Sequence, residues 1–164
     1  MKLFRLTFVL TFIISLVGCN QYGKHFVDKI NASDSLSSQL ECSFVRYNQI
    51  DTSALLQMYR QLLKTDQYAG LAFNYQKINT LKAEIKRVLI NNQQIRKDVR
   101  MTKGRLQLLK QSLRHNEYDS LTFTSYLVTE RNHVKNLINI MDSTGNKMQN
   151  WIVHSDSLFS SLHK

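Results

Sequence analysis

The longest regular pattern of apolar residues lies between residues 67 and 114. Apolar side chains recur there at alternating steps of three and four residues, which places them on one face of an α-helix. The thirteen positions, ten of them aliphatic, hold Leu71, Asn74, Ile78, Leu81, Ile85, Val88, Asn92, Ile95, Val99, Thr102, Leu106, Leu109 and Leu113. A 3.5-residue repeat sustained over six heptads is typical of coiled coils, so we predict one long helix with a coiled-coil seam.

A shorter helix is predicted before the long one, at residues 51–64. Its apolar stripe holds Leu55, Leu56, Tyr59, Leu62 and Leu63. This stripe is out of phase with the long seam, so we expect a break near Thr65-Asp66. A side-chain oxygen can cap a helix N-terminus, and residues 51–53 and Asp66 supply such oxygens ahead of the two helices.

A further helix is predicted after a turn at residues 115–118, with Asp119 or Ser120 as its N-cap. From Leu127 onward the same stepping returns, at Leu127, Arg131, Val134, Ile138, Met141, Gly145, Met148, Ile152, Ser155, Phe159 and Leu162. This stripe is widened by Leu121, Leu137, Trp151 and Leu158. Because a short connection between long helices makes them antiparallel neighbours, the two long helices should form a hairpin.

The predicted fold is therefore all-α, a long antiparallel coiled-coil helical hairpin with a shorter third helix. Proline breaks helix interiors, and its absence from all 164 residues agrees with this fold. Folding the hairpin near residue 117 sets the polar residues 91–94 opposite the polar residues 142–146. This polar level indicates either a device that fixes the register of the two helices or a hinge between two apolar halves.

The chain begins with a segment that differs from everything after it. Lys2 and Arg5 precede an apolar run from Leu6 to Val17, interrupted only by Thr and Ser. The run is shorter than the ~20 apolar residues that a membrane-spanning helix needs, and a short apolar run behind positive charge is typical of a secretory signal. It ends at residues 16–19, with the sequence Leu-Val-Gly-Cys.

Residues 16–19 resemble the lipobox of bacterial lipoprotein precursors. The resemblance implies that Cys19 is diacylated on sulfur, that the chain is cut before it, and that the new amino group is acylated. The domain organisation expected on this basis is a signal peptide at 1–18, an acylated Cys and tether at 19–50, and a helical domain at 51–164. The polar residues 20–40 are expected to form a flexible tether.

The lipobox also gives expectations for location and for the two cysteines. Membrane lipid is the expected partner of Cys19, in the cell envelope. Asn20 is not the Asp that holds some lipoproteins in the inner membrane, which favours the outer membrane, facing the periplasm. With Cys19 acylated, Cys42 has no partner in the chain, so it is an intermolecular disulfide, a free reactive thiol or an inert buried one.

The net charge of +10 is concentrated between Lys77 and Arg114, where eleven basic residues meet only Glu84 and Asp98. The sequence predicts a possible anion-binding face at Lys82, Lys86, Arg87, Arg96, Lys97, Arg100, Lys103, Arg105 and Lys110. The alternative is a solvated helix face, partly paired with acidic residues of the last helix. Nucleic acid suits the charge, but a lipoprotein would not meet it in the envelope.

Catalytic signatures are lacking, so we expect neither an enzyme nor a cofactor. Glu130 and His133 have the spacing found in di-iron bundles, but such sites need a second motif of this kind, which we do not find. No nucleophile motif and no glycine-rich phosphate loop is present. We therefore expect no metal and no catalysis.

The leading functional hypothesis is an envelope lipoprotein of structural or interaction type, whose coiled coil docks an envelope protein partner or self-associates. The first alternative is a periplasmic holdase of the Spy type, although the LTxxQ motif is absent, since Leu121-Thr122 is followed by Phe-Thr-Ser. The second is a lipoprotein linked to peptidoglycan through a C-terminal lysine, here Lys164.

Overall fold

The structure, a computed structural model, describes residues 26–65, 72–115 and 119–155. Within these ranges the chain forms four helices and no strand. They are α1 (residues 26–48), α2 (Thr52–Thr65), α3 (Ala72–Arg114) and α4 (Ser120–Val153). The predicted all-α class is therefore confirmed.

Helices α3 and α4 run antiparallel. Arg105 of α3 pairs with Glu130 of α4, and Glu84, earlier in α3, pairs with Lys147, later in α4. Among the contacts that α2, α3 and α4 make with one another, those between α3 and α4 are the most extensive. Helix α2 packs against both of them, as the predicted third member of the bundle.

The seam predicted on α3 is the buried face of that helix. From Ile78 to Leu113 ten of its eleven positions are buried, and Leu81 is partly buried. The buried set includes the polar residues Asn92 and Thr102. The side chains of Leu71 and Asn74 lie outside the described residues. The burial of the seam is thus confirmed, whereas the supercoil of a coiled coil stays a prediction.

The buried stripe of α4 agrees with the prediction at Leu127, Val134, Met141, Gly145 and Met148, and differs from it by one residue at three positions between and after them. Glu130 and Leu137 are buried, whereas Arg131 is exposed and Ile138 only partly buried. Phe123, which is fully buried, starts this stripe. The buried residues are Phe123, Leu127, Glu130, Val134, Leu137, Met141, Gly145, Met148 and Trp151. Leu121, predicted to widen the stripe, is instead 84% exposed.

The predicted tether was wrong for residues 26–48, which form helix α1 and join the core. Its buried residues recur at alternating steps of three and four, at Ser33, Leu36, Leu40, Ser43 and Tyr47. This is the same periodicity as on α3, hidden in the sequence because two of the five positions hold serine. Lys110 and Lys103 of α3 pair with Asp34 and Glu41 respectively, so α1 lies antiparallel to α3. Residues 19–25 lie outside the described residues.

Helices α1 and α2 are separated by a break at residues 49–51. Asp51 begins α2 as predicted, since its Oδ1 accepts a hydrogen bond from the backbone N–H of Ser53 at 2.9 Å. Leu55, Met58 and Leu62 form the buried side of α2, while Leu56 and Leu63 of the predicted stripe are exposed. Helix α2 is described as far as Thr65 and packs against α3, and the residues from Asp66 to Leu71, where the break is predicted, lie outside the described residues.

The polar level at residues 142–146 is the place where the end of α1 reaches α4. A Cβ atom added at Gly145 would lie 2.9 Å from Cδ1 of Ile50 and 3.6 Å from the ring of Tyr47. Gly145 therefore leaves the space that these two side chains fill. Burial raises the pKa of Tyr47 to about 12, so its phenol packs there uncharged. Helix α4 is continuous through this level, with no break of the kind a hinge would need.

Acid should weaken the fold through its two N-caps. The backbone N–H and hydroxyl of Thr122 lower the pKa of Asp119 below its ordinary value of 3.8, and the hydroxyl and N–H of Ser53 do the same for Asp51. A carboxyl group whose pKa is lower in the folded than in the unfolded chain stabilises the fold at any pH above its pKa in the unfolded chain. This stability is lost as the pH falls through its pKa in the folded chain. Thermal unfolding midpoints measured from neutral pH to about pH 2 should show this loss.

The control for this acid effect is the double variant D51N/D119N. Asparagine keeps a capping oxygen but does not titrate in this range. Its unfolding midpoint should therefore fall less steeply between about pH 4 and pH 2 than that of the natural chain. Equal slopes for the two proteins would show that the caps contribute nothing to the acid dependence.

Candidate anion-binding face on α3

The buried seam of α3 has an edge on either side of it. The edge that carries Arg96, Lys103 and Lys110 faces α1. Nζ of Lys110 lies 2.7 Å from Oδ1 of Asp34, and Lys103 pairs with Glu41. On the same edge, Nε of Arg96 donates a hydrogen bond of 3.3 Å to Oδ1 of Asn92, which belongs to the seam. The charges of this edge are therefore largely engaged in holding α3 to its neighbours.

The opposite edge of α3 faces α4. Nε of Arg105 donates a hydrogen bond of 2.7 Å to Oε1 of Glu130, and its Nη2 donates one of 3.0 Å to the hydroxyl of Thr102. Glu84 pairs with Lys147 at 3.3 Å. Both acidic residues of α3, Glu84 and Asp98, lie on this edge, where Asp98 accepts a hydrogen bond from Gln94.

The remaining surface of α3, which we call the outer face, points away from all three other helices. Its basic residues are Lys86, Arg87, Lys97, Arg100 and Arg114, and all five are exposed. None of them has an ion-pair partner within the described ranges. No Asp or Glu lies among the residues of this face between 86 and 114, and the two acidic residues of α3 on the adjoining edge, Glu84 and Asp98, interact with Lys147 and Gln94.

Large apolar side chains lie between these charges. Leu108 is 63% exposed, Ile90 57% and Met101 48%. Gly104 lies on the same face with no atom within 4 Å of where its Cβ would be, so the surface around it is open. The outer face is thus both basic and partly apolar.

The structure divides the nine residues of the predicted anion-binding face among three places. Lys86, Arg87, Lys97 and Arg100 lie on the outer face, which Arg114 extends. Lys103, Arg105 and Lys110 are held in ion pairs between helices, and Arg96 lies on the edge toward α1. Lys82 is 8% exposed. The heptad positions in the sequence could have predicted this division. The basic residues that form ion pairs flank the seam, whereas those on the outer face do not.

The outer faces of α1 and α4 differ from that of α3 because they carry both signs of charge. On α4 the exposed Arg131 and Lys135 are accompanied by the exposed Asp142. On α1 the exposed Asp28 is accompanied by the exposed Arg46, whereas Asp34 lies on the edge toward α3, where it pairs with Lys110. The outer face of α3 therefore differs from those of α1 and α4 in that its charged side chains are all positive.

A second feature is the polar cluster around Glu130. Its Oε2 atom is buried without a hydrogen-bond partner and lies 3.7 Å from Nδ1 of His133. Beside it runs a groove of about 170 Å³ between α3 and α4, lined by Asp98, Thr102, Arg105, His133, Asn136, Leu137 and Ile140. The described residues contain no group of three or more His, Cys, Asp or Glu side chains that could hold a metal ion. The cluster therefore shows an interhelical ion pair between Arg105 and Glu130.

The two cysteines fall in different parts of the chain. Cys19, the predicted lipidation site, lies outside the described residues. Cys42 is an exposed free thiol on α1. An intermolecular disulfide at Cys42 stays a prediction.

No match was found when the chain was compared with protein-family models, with curated proteins and with solved structures. Within the part of the chain that the structure describes, no helix combines the length and the apolar character needed to cross a membrane.

Proposed function

We propose that this chain is a membrane-anchored envelope lipoprotein of structural or interaction type. In this proposal Cys19 carries the lipid anchor, on the periplasmic side of the outer membrane, and the helical bundle is a docking module without catalysis. The outer face of α3 binds an anionic partner. The observation that carries the proposal is the set of five exposed basic side chains without an intervening carboxylate.

Charge is the physical reason for a partner of this kind. Like charges on one helix face repel, and the basic residues on the edges of α3 lessen this repulsion by pairing with acidic residues of α1 and α4. The outer face has no such compensation within the described chain. An anionic surface would supply it, with each exposed pair contributing ~0.2–1 kcal/mol.

In-cell crosslinking of the tagged full-length chain tests the proposal. The variant K86Q/R87Q/K97Q/R100Q removes four charges from the outer face. At the exposed-pair value above, four lost pairs amount to about 0.8–4 kcal/mol, so the yield of a specific crosslinked product should fall about fourfold or more. The products should be read by mass spectrometry.

The matched control is R60Q/K64Q/R131Q/K135Q, which removes the same charge from exposed positions on α2 and α4. It should leave the crosslinked product largely unchanged. Equal loss in both variants would show a response to net charge alone, and no loss in either would overturn a protein partner for the outer face. Many weakly crosslinked proteins in place of one dominant product would favour the holdase alternative.

A further inference from the structure

We infer that the outer face of α3 lies against the surface of an anionic lipid bilayer, so that the bundle rests lengthwise on the membrane. This inference rests on the proposed function, because it names the partner of the same face. Three features of the described residues carry it: the sign of the charges, the apolar side chains between them, and the end of the bundle at which α1 begins.

The combination of basic and apolar side chains fits a lipid surface. Lys and Arg extend their charged ends to lipid headgroups while their apolar stems lie along the surface. Apolar side chains beside them enter the boundary between headgroups and acyl chains. Ile90, Met101 and Leu108 are exposed on this face between the basic residues and are placed to do this.

The length of the face also suits an extended surface. Lys86 and Arg114 are separated along α3 by about 42 Å at 1.5 Å per residue. Basic residues near an anionic leaflet each contribute roughly fivefold to membrane affinity, and the attraction fades within a Debye length of about 10 Å. Charges spread along one helix face can act together only on a partner that follows the helix, as a bilayer does.

Helix α1 begins near the C-terminal end of α3. Nζ of Lys29 donates a hydrogen bond of 2.9 Å to the backbone oxygen of Ser120 and lies 5.6 Å from the ring centre of Phe123. Ser120 starts α4, a few residues after the end of α3 at Arg114. Residues 1–25 therefore join the bundle at the end where Arg114 lies.

The predicted anchor would keep this end close to a bilayer. Six residues lie between Cys19 and Phe26, and the seven Cα–Cα steps from one to the other can span at most about 25 Å. An acylated Cys19 would thus hold the end of α3 that carries Arg100, Leu108 and Arg114 within reach of lipid headgroups.

Depth-dependent fluorescence quenching tests the inference. The full-length chain is purified from membranes and reconstituted into vesicles that contain nitroxide-labelled lipid. Two proteins are made in the C42S background, one with Met101→Cys and one with Val45→Cys. In each of them the new cysteine is labelled with an environment-sensitive fluorophore. The two side chains are equally exposed, each at 48%, and lie on different helices. The C42S chain without an added cysteine gives the background from Cys19.

In vesicles of phosphatidylcholine with about one quarter phosphatidylglycerol, quenching at position 101 should exceed that at position 45 about threefold or more. The ratio should fall to about one in pure phosphatidylcholine and in about 0.5 M salt. It should also fall in the K86Q/R87Q/K97Q/R100Q background and persist in the R60Q/K64Q/R131Q/K135Q background. Circular dichroism confirms that each chain remains helical.

Equal quenching at the two positions in anionic vesicles would overturn the inference. If the crosslinked product still depended on the four outer charges, the proposed function would stand and its partner would be an acidic protein. If neither readout depended on those charges, both the inference and the proposed function would fall.

Discussion

Replacing Leu40 with alanine should lower the free energy of unfolding by about 2–5 kcal/mol. Leu40 is fully buried in α1, where it packs in the common core with residues of the other helices. The substitution removes apolar contacts and leaves a cavity that the surrounding helices fill only in part. Denaturant unfolding followed by circular dichroism measures the change.

The control is Val45→Ala, on the same helix but 48% exposed. It should change the free energy of unfolding by less than about 1 kcal/mol, since surface substitutions are usually small in effect. Small effects for both variants would mean that α1 is not part of the cooperative core, and residues 26–48 would then behave as the tether that the sequence suggested.

Replacing Arg105 with methionine should destabilise the bundle by about 3 kcal/mol at neutral pH. The substitution keeps an apolar stem but removes the guanidinium from Glu130, whose side chain is only 11% exposed. Oε2 of Glu130 already lacks a hydrogen-bond partner, and Oε1 would lose its bond from Arg105. A buried carboxylate without a partner cation lowers the free energy of unfolding, so removing Arg105 while Glu130 remains should be strongly destabilising.

The reverse substitution, Glu130→Leu, should cost less, because Arg105 is 39% exposed and can turn its charge toward water. The double variant R105M/E130L should recover most of the stability lost in R105M, since a well-packed apolar pair can replace a buried ion pair. A double-mutant cycle in denaturant measures the coupling. Purely additive effects would show that the two side chains do not form an energetically coupled pair.

The sequence predicted α3 well because the physical signal there is strong and local. Ten of the thirteen positions of its seam are aliphatic, so the periodicity survives the three polar residues Asn74, Asn92 and Thr102. The caps Asp51 and Asp119 were also predictable, because an N-cap depends only on residues next to it. Features decided by neighbouring helices were less accessible to sequence analysis.

Helix α1 shows why. Ser33 and Ser43 occupy two of its five buried positions, and serine in a polar segment suggests a flexible tether. Only the packing of α1 against α3 and α4 makes these positions interior. In α4 the burial of Glu130 in place of the predicted Arg131 has a similar cause, because Glu130 is paired with Arg105 of α3.

The sequence predicted the positive charge of the candidate site but not which of its basic residues form ion pairs and which face outward. The basic residues of α3 were evident, yet Asp34 and Glu41 were unknown as partners because they belong to the helix that was missed. The interior-facing and outward-facing charges therefore formed a single predicted face. Heptad position alone separates them, since the residues next to the seam are the ones that pair.

Because α1 begins at the end of the bundle that carries Arg114, an anchor at Cys19 would lower the affinity that the outer face needs for a bilayer. Once the N-terminal segment is held in a bilayer, contact between α3 and that bilayer is an intramolecular event. A short connection between two binding sites gives effective concentrations in the millimolar range, so a surface of only millimolar affinity would already be half occupied. Affinity of that order also permits rapid release when ionic strength rises. The bundle would then alternate between lying on the membrane and standing away from it without ever leaving its anchor.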